Sequence, residues 1–461
     1  MKRAICVIFS LSLFLTIVSP SQVQAQPRRP FPQHVAYTEG TIKPNHVSQA
    51  ELDAAVAAYY DLWKERYVFT VENSDPVQQY VHFNPPVEAV NVDWIEPENT
   101  VCRSEAQGYG MLTVGIMAGH DPDAKAIFDA MFRFVKAHPS NIEPNMMAWQ
   151  QVRLEDGRIV SSESGEAEEP TDAATDGDLD IAYALLLADS QWGSDGDIDY
   201  RVEALNVLHG ILQSAIHPTE HTILMGDWSK HKKDLDENHA RYYRSTRSSD
   251  FMLNHLKAFA QIDTENTARW MAIYDKTVEI INTQYHEWSP NTGLIADFLI
   301  KNQETGHYEP PEGQLLEDTN DGDYNWNACR DPWRFPIDYL LTGDSAILEQ
   351  LTTLNRWIQK VTTGDPTQIY PGYYIRSGEE GSKIPERDWG VDMSFLAPFA
   401  VSAMVHADNQ EWLNALWNAI VVDELTDEDL YFGNNIRMQA LMVVSGNWWM
   451  PEVGEKIIAA Q

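Results

Sequence analysis

The chain has 461 residues, with 69 acidic against 33 basic side chains, and a formal net charge of −36 at pH 7. A hydrophobic content of 43% excludes a disordered chain and, at this length, allows a large buried core. The negative charge argues against nucleic acid and anionic membrane surfaces as partners, because both are bound through clusters of Lys and Arg. A cationic or neutral partner remains open, although solubility alone is the simpler explanation of the charge.

The N-terminus has the three parts of a secretory signal peptide. Lys2 and Arg3 form a basic start, residues 4–18 are a mostly apolar run, and small residues lead to Ala25. We expect cleavage near Ala25, which makes residues 1–25 a signal peptide and residues 26–461 one exported domain, extracellular or periplasmic. No other stretch approaches the roughly 20 apolar residues of a membrane helix, so we expect no membrane span.

Cys102 and Cys329 are the two cysteines outside the predicted signal peptide. A fold of this size does not need disulfides for its stability. Their separation in sequence says nothing about their distance in space, so a disulfide and two buried thiols are equally open.

The rest of the sequence is typical of helices joined by loops rich in Gly, Pro, Asn and Asp. Ser48 and Glu51 form a capping-box pattern, and the helix that follows is predicted to bury Leu52, Val56, Tyr59, Tyr60 and Trp63. Asp121 and Pro122 predict another helix, with Asp121 as its N-cap and Pro122 at its first position. Further helices are predicted near residues 104–118, 177–190, 199–216, 250–262, 265–285, 334–341, 345–361, 392–405, 409–421 and 430–445.

This pattern indicates an all-α protein with about twelve helices in one domain. Strong strand alternation is nearly absent, and no linker divides the chain. Because the hairpins do not repeat in sequence, a closed array of helical hairpins is favoured over a solenoid.

Several kinds of chemistry lack their sequence motifs here. The chain has no nucleophile elbow, phosphate-binding loop, dinucleotide fingerprint, zinc-protease helix or C-x-x-C pair. His217 and His221 are separated by Pro218, which disrupts a helical metal face. The Asp-rich runs at 176–180 and 195–199 do not match a calcium-binding EF-hand loop, and helix capping explains both better. We therefore expect no metal and no cofactor.

Carboxylates and 15 tryptophans remain, in a chain with an export signal. Hydrolysis of a glycosidic bond needs two carboxyl groups and no cofactor. Tryptophan faces offer flat apolar platforms for sugar rings. The composition therefore favours a polysaccharide hydrolase, although most of the tryptophans are expected in the core.

Five ordered segments resemble glycoside hydrolase family 8. They are Ile42-Lys-Pro-Asn-His46, Arg103-Ser-Glu-Ala-Gln-Gly-Tyr-Gly-Met111, Ala174-Thr-Asp-Gly-Asp-Leu-Asp-Ile-Ala-Tyr-Ala-Leu-Leu-Leu-Ala188 with Gln191-Trp-Gly-Ser194, Arg247-Ser-Ser-Asp-Phe-Met252, and Asn327-Ala-Cys-Arg-Asp-Pro-Trp-Arg334. The resemblance implies a single (α/α)6 barrel, a catalytic domain over residues 26–461, and inverting, endo-acting hydrolysis of a β-1,4-linked polymer.

The resemblance assigns Glu105 as the general acid and Asp176 as the carboxylate at the cleavage subsite. Ser104 and Gln107 resemble a capping box, so Glu105 is predicted in the first turn of a helix, where the helix dipole stabilises the anion. A general acid must keep its proton near neutral pH. Asp176 is the expected neighbour that raises the pKa of Glu105.

The general base departs from one branch of the family, which has an Asp where this chain has Asn327. A neutral amide cannot deprotonate water. The chitosanase-like branch resembles this chain in having Asn there, and its base is a Glu on the preceding loop. Glu317 lies ten residues before Asn327 and is the predicted base. The same loop carries other carboxylates that resemble it, namely Asp318, Asp321 and Asp323.

Five residues are candidate substrate-binding residues, and two of them, Arg330 and Trp149, match positions of the family. Asn327 is expected to help orient the water or the sugar. Arg330 is expected to hold a carboxylate or a sugar hydroxyl, and Trp149 to stack on a sugar near the cleavage point. Ser248 and Asp250 are candidate substrate contacts, although Asp250 also fits the N-cap of the helix that follows. Other tryptophans of the motifs, Trp192 and Trp333, are expected in the core.

These residues predict an inverting endo-hydrolase whose two carboxyls are ~6.5–9.5 Å apart. The expected substrate is a cellulose-like or mixed-linkage β-glucan, chitosan, or both. Asn327 and the acidic charge lean weakly toward chitosan. The alternatives are a secreted, non-catalytic glycan-binding protein on the same fold, and an endo-xylanase. We expect a monomer with a polysaccharide as its partner.

Overall fold

The structure is a computed structural model that describes residues 26–83, 99–163, 171–376, 378–388, 390–421, 425 and 431–452. The predicted signal peptide lies outside these residues. The α-helices are α1 (Gln49–Tyr67), α2 (Ser104–Ile116), α3 (Ala124–Ala137), α4 (Thr175–Trp192), α5 (Tyr200–Ser214), α6 (Asp227–His231), α7 (Glu237–Tyr242), α8 (Leu253–Ile262), α9 (Thr267–Trp288), α10 (Asp331–Arg334), α11 (Pro336–Thr342), α12 (Leu348–Val361), α13 (Met393–Ala403), α14 (Gln410–Ile420) and α15 (Phe432–Val444).

The helices form the expected (α/α)6 barrel. Six inner segments, α2, α4, α8, α10–α11, α13 and α15, make a ring in which each contacts the next and α15 contacts α2. Six outer helices, α1, α3, α5, α9, α12 and α14, alternate with them along the chain. The short helices α6 and α7 lie between α5 and α8.

Burial separates the two rings. Every residue of α2 and of α13 is buried, as expected for helices packed on all sides. Outer helices bury only one face. In α1, the capping box of Ser48 and Glu51 is formed, and the predicted stripe from Leu52 to Trp63 is buried. Trp192 and Trp333 lie in the core, as predicted.

Eight short strands were not predicted. They are β1 (Val68–Thr70), β2 (Gln79–Val81), β3 (Thr100–Arg103), β4 (Gln150–Arg153), β5 (Ile159–Ser161), β6 (Ser245–Arg247), β7 (Phe298–Lys301) and β8 (Tyr308–Glu309). They form three small antiparallel sheets, ordered β1-β2, β3-β4-β5 and β6-β7-β8. Strands of two to four residues carry too little alternation to be recognised in sequence. Strands β3 and β6 matter for function because each leads directly into an inner segment.

An N-terminal strap, residues 26–47, crosses the carboxyl-terminal ends of the inner helices. Its backbone N–H groups donate to carbonyl groups at or just beyond the ends of α4, α2, α15, α11 and α13, at N···O distances of 2.7–2.9 Å; the donors are Arg28, Phe31, Val35, Thr38 and Ile42, in that order. The last carbonyls of a helix have no partner within it. The strap therefore caps five of the six inner segments and covers one end of the barrel.

Four predicted helix starts need correction. Helix α3 begins at Ala124, and Asp121 instead accepts hydrogen bonds from Tyr60 and Lys64. The capping box at Ser104 is wrong, because the side chain of Gln107 bonds elsewhere, accepting from the backbone N–H of Val81 and donating to the Met131 carbonyl.

The third correction concerns the acidic runs. Helix α4 has Ala174 as its N-cap, so Asp176 lies in the first turn and does not cap the helix. In the second run Asp199 does cap α5, accepting from the N–H of Val202 at 3.0 Å. Asp250 is not an N-cap either, since α8 begins at Leu253.

Cys102 and Cys329 are both buried and free, which answers the question of their pairing. No helix in the described part of the chain is long and apolar enough to cross a bilayer.

Candidate active site

The candidate site lies at the amino-terminal end of the inner ring, opposite the N-terminal strap. Each of the first four inner segments brings predicted residues to this end, as its first-turn or preceding residues; they are Glu105 on α2, Asp176 on α4, Ser248 and Asp250 before α8, and Asn327 and Arg330 before α10. Segments far apart in sequence thus converge because the barrel is closed. All of these residues are buried.

Glu105 is 8% exposed and lies in the first turn of α2, as predicted. The hydroxyl of Tyr431 donates a hydrogen bond to its Oε1 atom. Its Oε2 atom is buried and has no hydrogen-bond partner among the described residues. Burial, and then the negative charge of Asp176, raise the pKa of Glu105. The helix dipole favours the anion, but here burial and the neighbouring carboxylate outweigh it.

The pKa of Asp176 is shifted in the opposite direction to that of Glu105. Its Oδ1 accepts from Nη2 of Arg247 at 2.9 Å, and its Oδ2 from Nη1 of Arg330 at 2.7 Å. Burial alone would raise the pKa of Asp176, but the two guanidinium groups outweigh burial and lower the pKa to about 2. Glu105 and Asp176 are therefore a neighbouring pair of carboxyls, one disposed to keep its proton and one ionised.

Two glycines bring α2 and α4 close enough for this pair to form. A Cβ atom at Gly177 would lie 2.5 Å from Oγ of Ser104, and one at Gly108 would lie 2.7 Å from Cβ of Asp180. Real Cβ contacts do not approach so closely, so larger residues would force the helices apart. Helix packing thus sets the distance between Glu105 and Asp176.

Glu317 lies on the loop between β8 and α10, beside Asn327. Nδ2 of Asn327 donates to Oε2 of Glu317 at 2.9 Å, while Oδ1 of Asn327 accepts from Nη2 of Arg330 at 2.8 Å. The contact with Arg330 fixes the orientation of the amide, because a guanidinium only donates. The glutamate and the asparagine proposed from sequence are thus in direct contact.

Glu317 is exposed to solvent, yet burial by the surrounding chain raises its pKa. Water therefore has access to this side chain.

The three other carboxylates of the Glu317 loop have structural contacts. Asp321 accepts from the backbone N–H groups of residues 315, 316, 317 and 318, at 2.7–3.0 Å. Oδ2 of Asp318 accepts from Arg387 at 2.5 Å, and Asp323 pairs with Arg376. These contacts hold the loop that presents Glu317.

Arg247 and Asp250 extend the chain of charges beyond Asp176. Nε of Arg247 donates to Oδ1 of Asp250 at 3.2 Å. Burial raises the pKa of Asp250 to about 7 despite this guanidinium. The hydroxyl of Ser248 is buried and donates to the carbonyl of Asp297 at 3.4 Å. Ser248 thus connects the segment before α8 to Asp297, which directly precedes β7.

Trp149 lies next to Glu105, because the backbone N–H of Ser104 donates to the Trp149 carbonyl at 2.9 Å. The guanidinium of Arg103 lies 4.5 Å from the centre of the Trp149 ring and 4.2 Å from that of Phe83. This cation–π contact fixes the plane of a half-buried indole, as a sugar-stacking platform requires.

Four residues with contacts at the site were not predicted from sequence: Arg103, Arg247, Asp297 and Tyr431. The two arginines lie inside the quoted motifs, Arg103 two residues before Glu105 and Arg247 directly before Ser248, so their charge was a usable signal. Asp297 accepts from the N–H groups of Asn325 and Ala328 at 2.9 and 2.7 Å. No motif surrounds Asp297 or Tyr431.

Comparison with known proteins identifies the family. The sequence profile of "Glycosyl hydrolases family 8" matches residues 92–444. A β-glucanase of Niallia circulans is 39% identical over 437 residues, which cover 95% of both chains. An endoglucanase of Bacillus sp. strain KSM-330 is 35% identical, covering 96% of this chain and 87% of that one. The apo structure of a β-1,3-1,4-glucanase from Paenibacillus sp. X4 superposes with a TM-score of 0.78 at 39% identity, covering 92% of this chain and all of that one.

The barrel fold, the family profile and the relatives of 39% and 35% identity show a glycoside hydrolase. The match extends along nearly the whole chain and includes every predicted site residue. The chain belongs to glycosyl hydrolases family 8. This membership also decides against the non-catalytic alternative.

Proposed function

We propose that the protein is an inverting endo-β-1,4-glycanase that hydrolyses β-glucan, with Glu105 as general acid and Glu317 as general base. One observation carries the proposal. Glu105, whose pKa is raised, lies beside Asp176, whose pKa is lowered. A separate glutamate, Glu317, contacts Asn327, which Arg330 links to Asp176. Inverting hydrolysis needs one protonated and one ionised carboxyl group on opposite faces of the sugar ring.

In the first half of the reaction, Glu105 gives its proton to the departing glycosidic oxygen. The raised pKa keeps the proton on Glu105 until the bond breaks. Asp176 stays ionised because Arg247 and Arg330 hold it, and its negative charge faces the positive charge that develops on the ring. Two carboxyls of the same kind thus take different roles because of their neighbours.

In the second half, Glu317 takes a proton from the water that attacks the anomeric carbon. Asn327 donates a hydrogen bond to Oε2 of Glu317, so the other carboxylate oxygen, Oε1, accepts the proton of the water. The water adds from the face opposite the leaving group, so a β-linked substrate gives an α-configured product. The exposure of Glu317 suits a base that must receive a new water in each turnover.

The relatives of the chain support a neutral glucan over chitosan. The relatives named above are a β-glucanase, an endoglucanase and a β-1,3-1,4-glucanase. Mixed-linkage β-glucan is therefore the proposed preferred substrate, with Trp149 stacking on a sugar beside the acid.

Export and oligomeric state belong to the same proposal. We propose that the chain is secreted after cleavage near Ala25 and acts as a monomer. The mass of the protein recovered from the culture medium gives the cleavage site, and light scattering gives the oligomeric state. A mass that includes residues 1–25 contradicts cleavage there.

The test measures reducing ends released from barley mixed-linkage glucan, carboxymethylcellulose, chitosan and xylan. The wild type is compared with Glu105→Gln and Glu317→Gln, each expected to lose about 10²- to 10⁴-fold in kcat. Glu312→Gln is the matched control, because Glu312 is an exposed glutamate on the Glu317 loop. NMR of the fresh product should show the α-anomer first.

Faster release from chitosan or xylan than from both glucans would contradict the substrate proposal and leave the catalytic residues in place. A Glu105→Gln variant as active as the Glu312→Gln control would contradict the assignment of the acid. A β-configured first product would contradict inversion.

A further inference from the structure

We propose that Tyr431 is a positioning residue for the general acid: its hydroxyl occupies Oε1 of Glu105, so that the transferable proton resides on Oε2. The proposal deepens the proposed function and rests on Glu105 being the acid. It concerns an interaction between the first turn of α2 and the residue that precedes α15, the last helix of the barrel.

The geometry of Tyr431 leaves its hydroxyl little choice of partner. Tyr431 is 5% exposed, and its ring lies between Phe83 and Phe432, at centroid distances of 4.7 and 5.9 Å. These apolar neighbours hold the ring and offer no competing acceptor. The phenol O–H therefore points to Oε1 of Glu105.

Hydrogen-bond direction then determines which oxygen carries the acid proton. Burial first, and then the charge of Glu105 once it is ionised, raise the pKa of Tyr431, so the phenol keeps its proton in both states of the acid and donates it to Oε1. An oxygen that accepts this bond is the carbonyl-type oxygen of a neutral carboxylic acid. The proton must then be on Oε2, which has no partner within the described residues.

The same contact changes strength during the reaction. When Oε2–H gives its proton to the glycosidic oxygen, Glu105 gains a negative charge. The bond from Tyr431 becomes a charge-assisted one, which is stronger than a bond to a neutral acid. Tyr431 therefore stabilises the transition state more than the resting state, which is the condition for raising kcat.

The test is Tyr431→Phe, which removes the donor and keeps the ring. We expect kcat on mixed-linkage glucan to fall by about tenfold to a hundredfold. Loss of a donor to the carboxylate raises the pKa of Glu105, so the basic limb of the kcat/KM profile should move to higher pH. The activated substrate 2,4-dinitrophenyl cellotetraoside, whose leaving group needs no proton, should be cleaved at nearly the wild-type rate.

Tyr59→Phe is the matched control, because the Tyr59 hydroxyl is buried and bonds to Asn434 of the same helix α15. It should leave the pH profile and the ratio of the two substrates unchanged. Thermal denaturation of both variants shows whether each is folded.

Equal losses on the two substrates would overturn the proposal, since Tyr431 would then act on sugar binding or folding and not through the acid. An unshifted basic limb would overturn it as well. If Glu105→Gln is fully active, the proposed acid itself is wrong. If Glu105→Gln is inactive but Tyr431→Phe has wild-type activity, the acid stands and only the role of Tyr431 is wrong.

Discussion

Replacing Asn327 by Asp should give the enzyme two carboxylates where it now has one. Nδ2 of Asn327 lies 2.9 Å from Oε2 of Glu317, so the new carboxylate would meet the old one at nearly that distance. At an effective dielectric constant of about 20, two unit charges so close repel by about 6 kcal/mol. Glu317 is exposed to solvent, and this screens the repulsion, so we take about half of it, or about 2 pKa units.

The sign of this effect is fixed by the chemistry of the base. A like charge raises the pKa of Glu317, and the base must be ionised to take a proton from water. The acidic limb of the kcat/KM profile of Asn327→Asp should therefore move to higher pH by about two units. The basic limb, which reports Glu105, should stay in place.

The assay is the rate of reducing-end release from barley glucan across the pH range. Asn320→Asp adds a charge to the same loop near Arg376, whose Nη2 lies 3.4 Å from the Asn320 side-chain oxygen, and should leave the acidic limb unchanged. In the double variant Glu317→Gln/Asn327→Asp only one carboxylate remains, so the limb should return toward its wild-type position. An Asn327→Asp profile that matches the wild type would refute the idea that Asn327 adjoins the base.

Three further predictions concern the groups around the acid and the base. Asp176→Asn removes a negative charge beside Glu105, so the basic limb of the kcat/KM profile should move to lower pH. Two buried arginines also lose their partner, which should lower the free energy of unfolding by about 3–5 kcal/mol in thermal denaturation. An unmoved limb would contradict the effect of Asp176 on the pKa of Glu105. Gly177→Ala places a Cβ 2.5 Å from Oγ of Ser104 and should destabilise the fold by about 1–3 kcal/mol, whereas Gly196→Ala, with nothing within 4 Å, should be neutral in the same melt. Asp321→Ala leaves four backbone N–H groups without their acceptor, so limited proteolysis should cut the Glu317 loop faster and kcat should fall at least about tenfold; unchanged cleavage and rate would show that Asp321 does not hold the loop.

The helices could be predicted from the sequence because amphipathic spacing is a local pattern, whereas the barrel and the candidate site residues were implied by motifs that resemble those of the family. Amphipathic spacing predicted the outer helices, and the buried stripe of α1 was correct residue by residue. Glu105, Asp176, Asn327 and Arg330 lie in short motifs at helix starts. A closed barrel necessarily brings such starts together at one end.

What the sequence could not show depends on contacts between distant segments. Tyr431 and Glu105 are 326 positions apart, and no local pattern relates them. The prediction of a capping box at Ser104 failed for a similar reason, since the side chain of Gln107 forms hydrogen bonds with the backbone of Val81 and Met131. Tertiary hydrogen bonds override local preference where the helix is buried on all sides.

The N-terminal strap has a consequence for how the chain folds. Its hydrogen bonds reach five inner segments, from Gln191 in α4 to Gly446 just after α15, so no subset of the helical hairpins offers it a complete binding surface. Docking of the strap therefore depends on the assembly of almost the entire ring, including its last helix. In an array of hairpins in which each contacts mainly its neighbours, the hairpins would unfold independently. A ring whose inner segments are joined by the strap should instead unfold as a single cooperative unit.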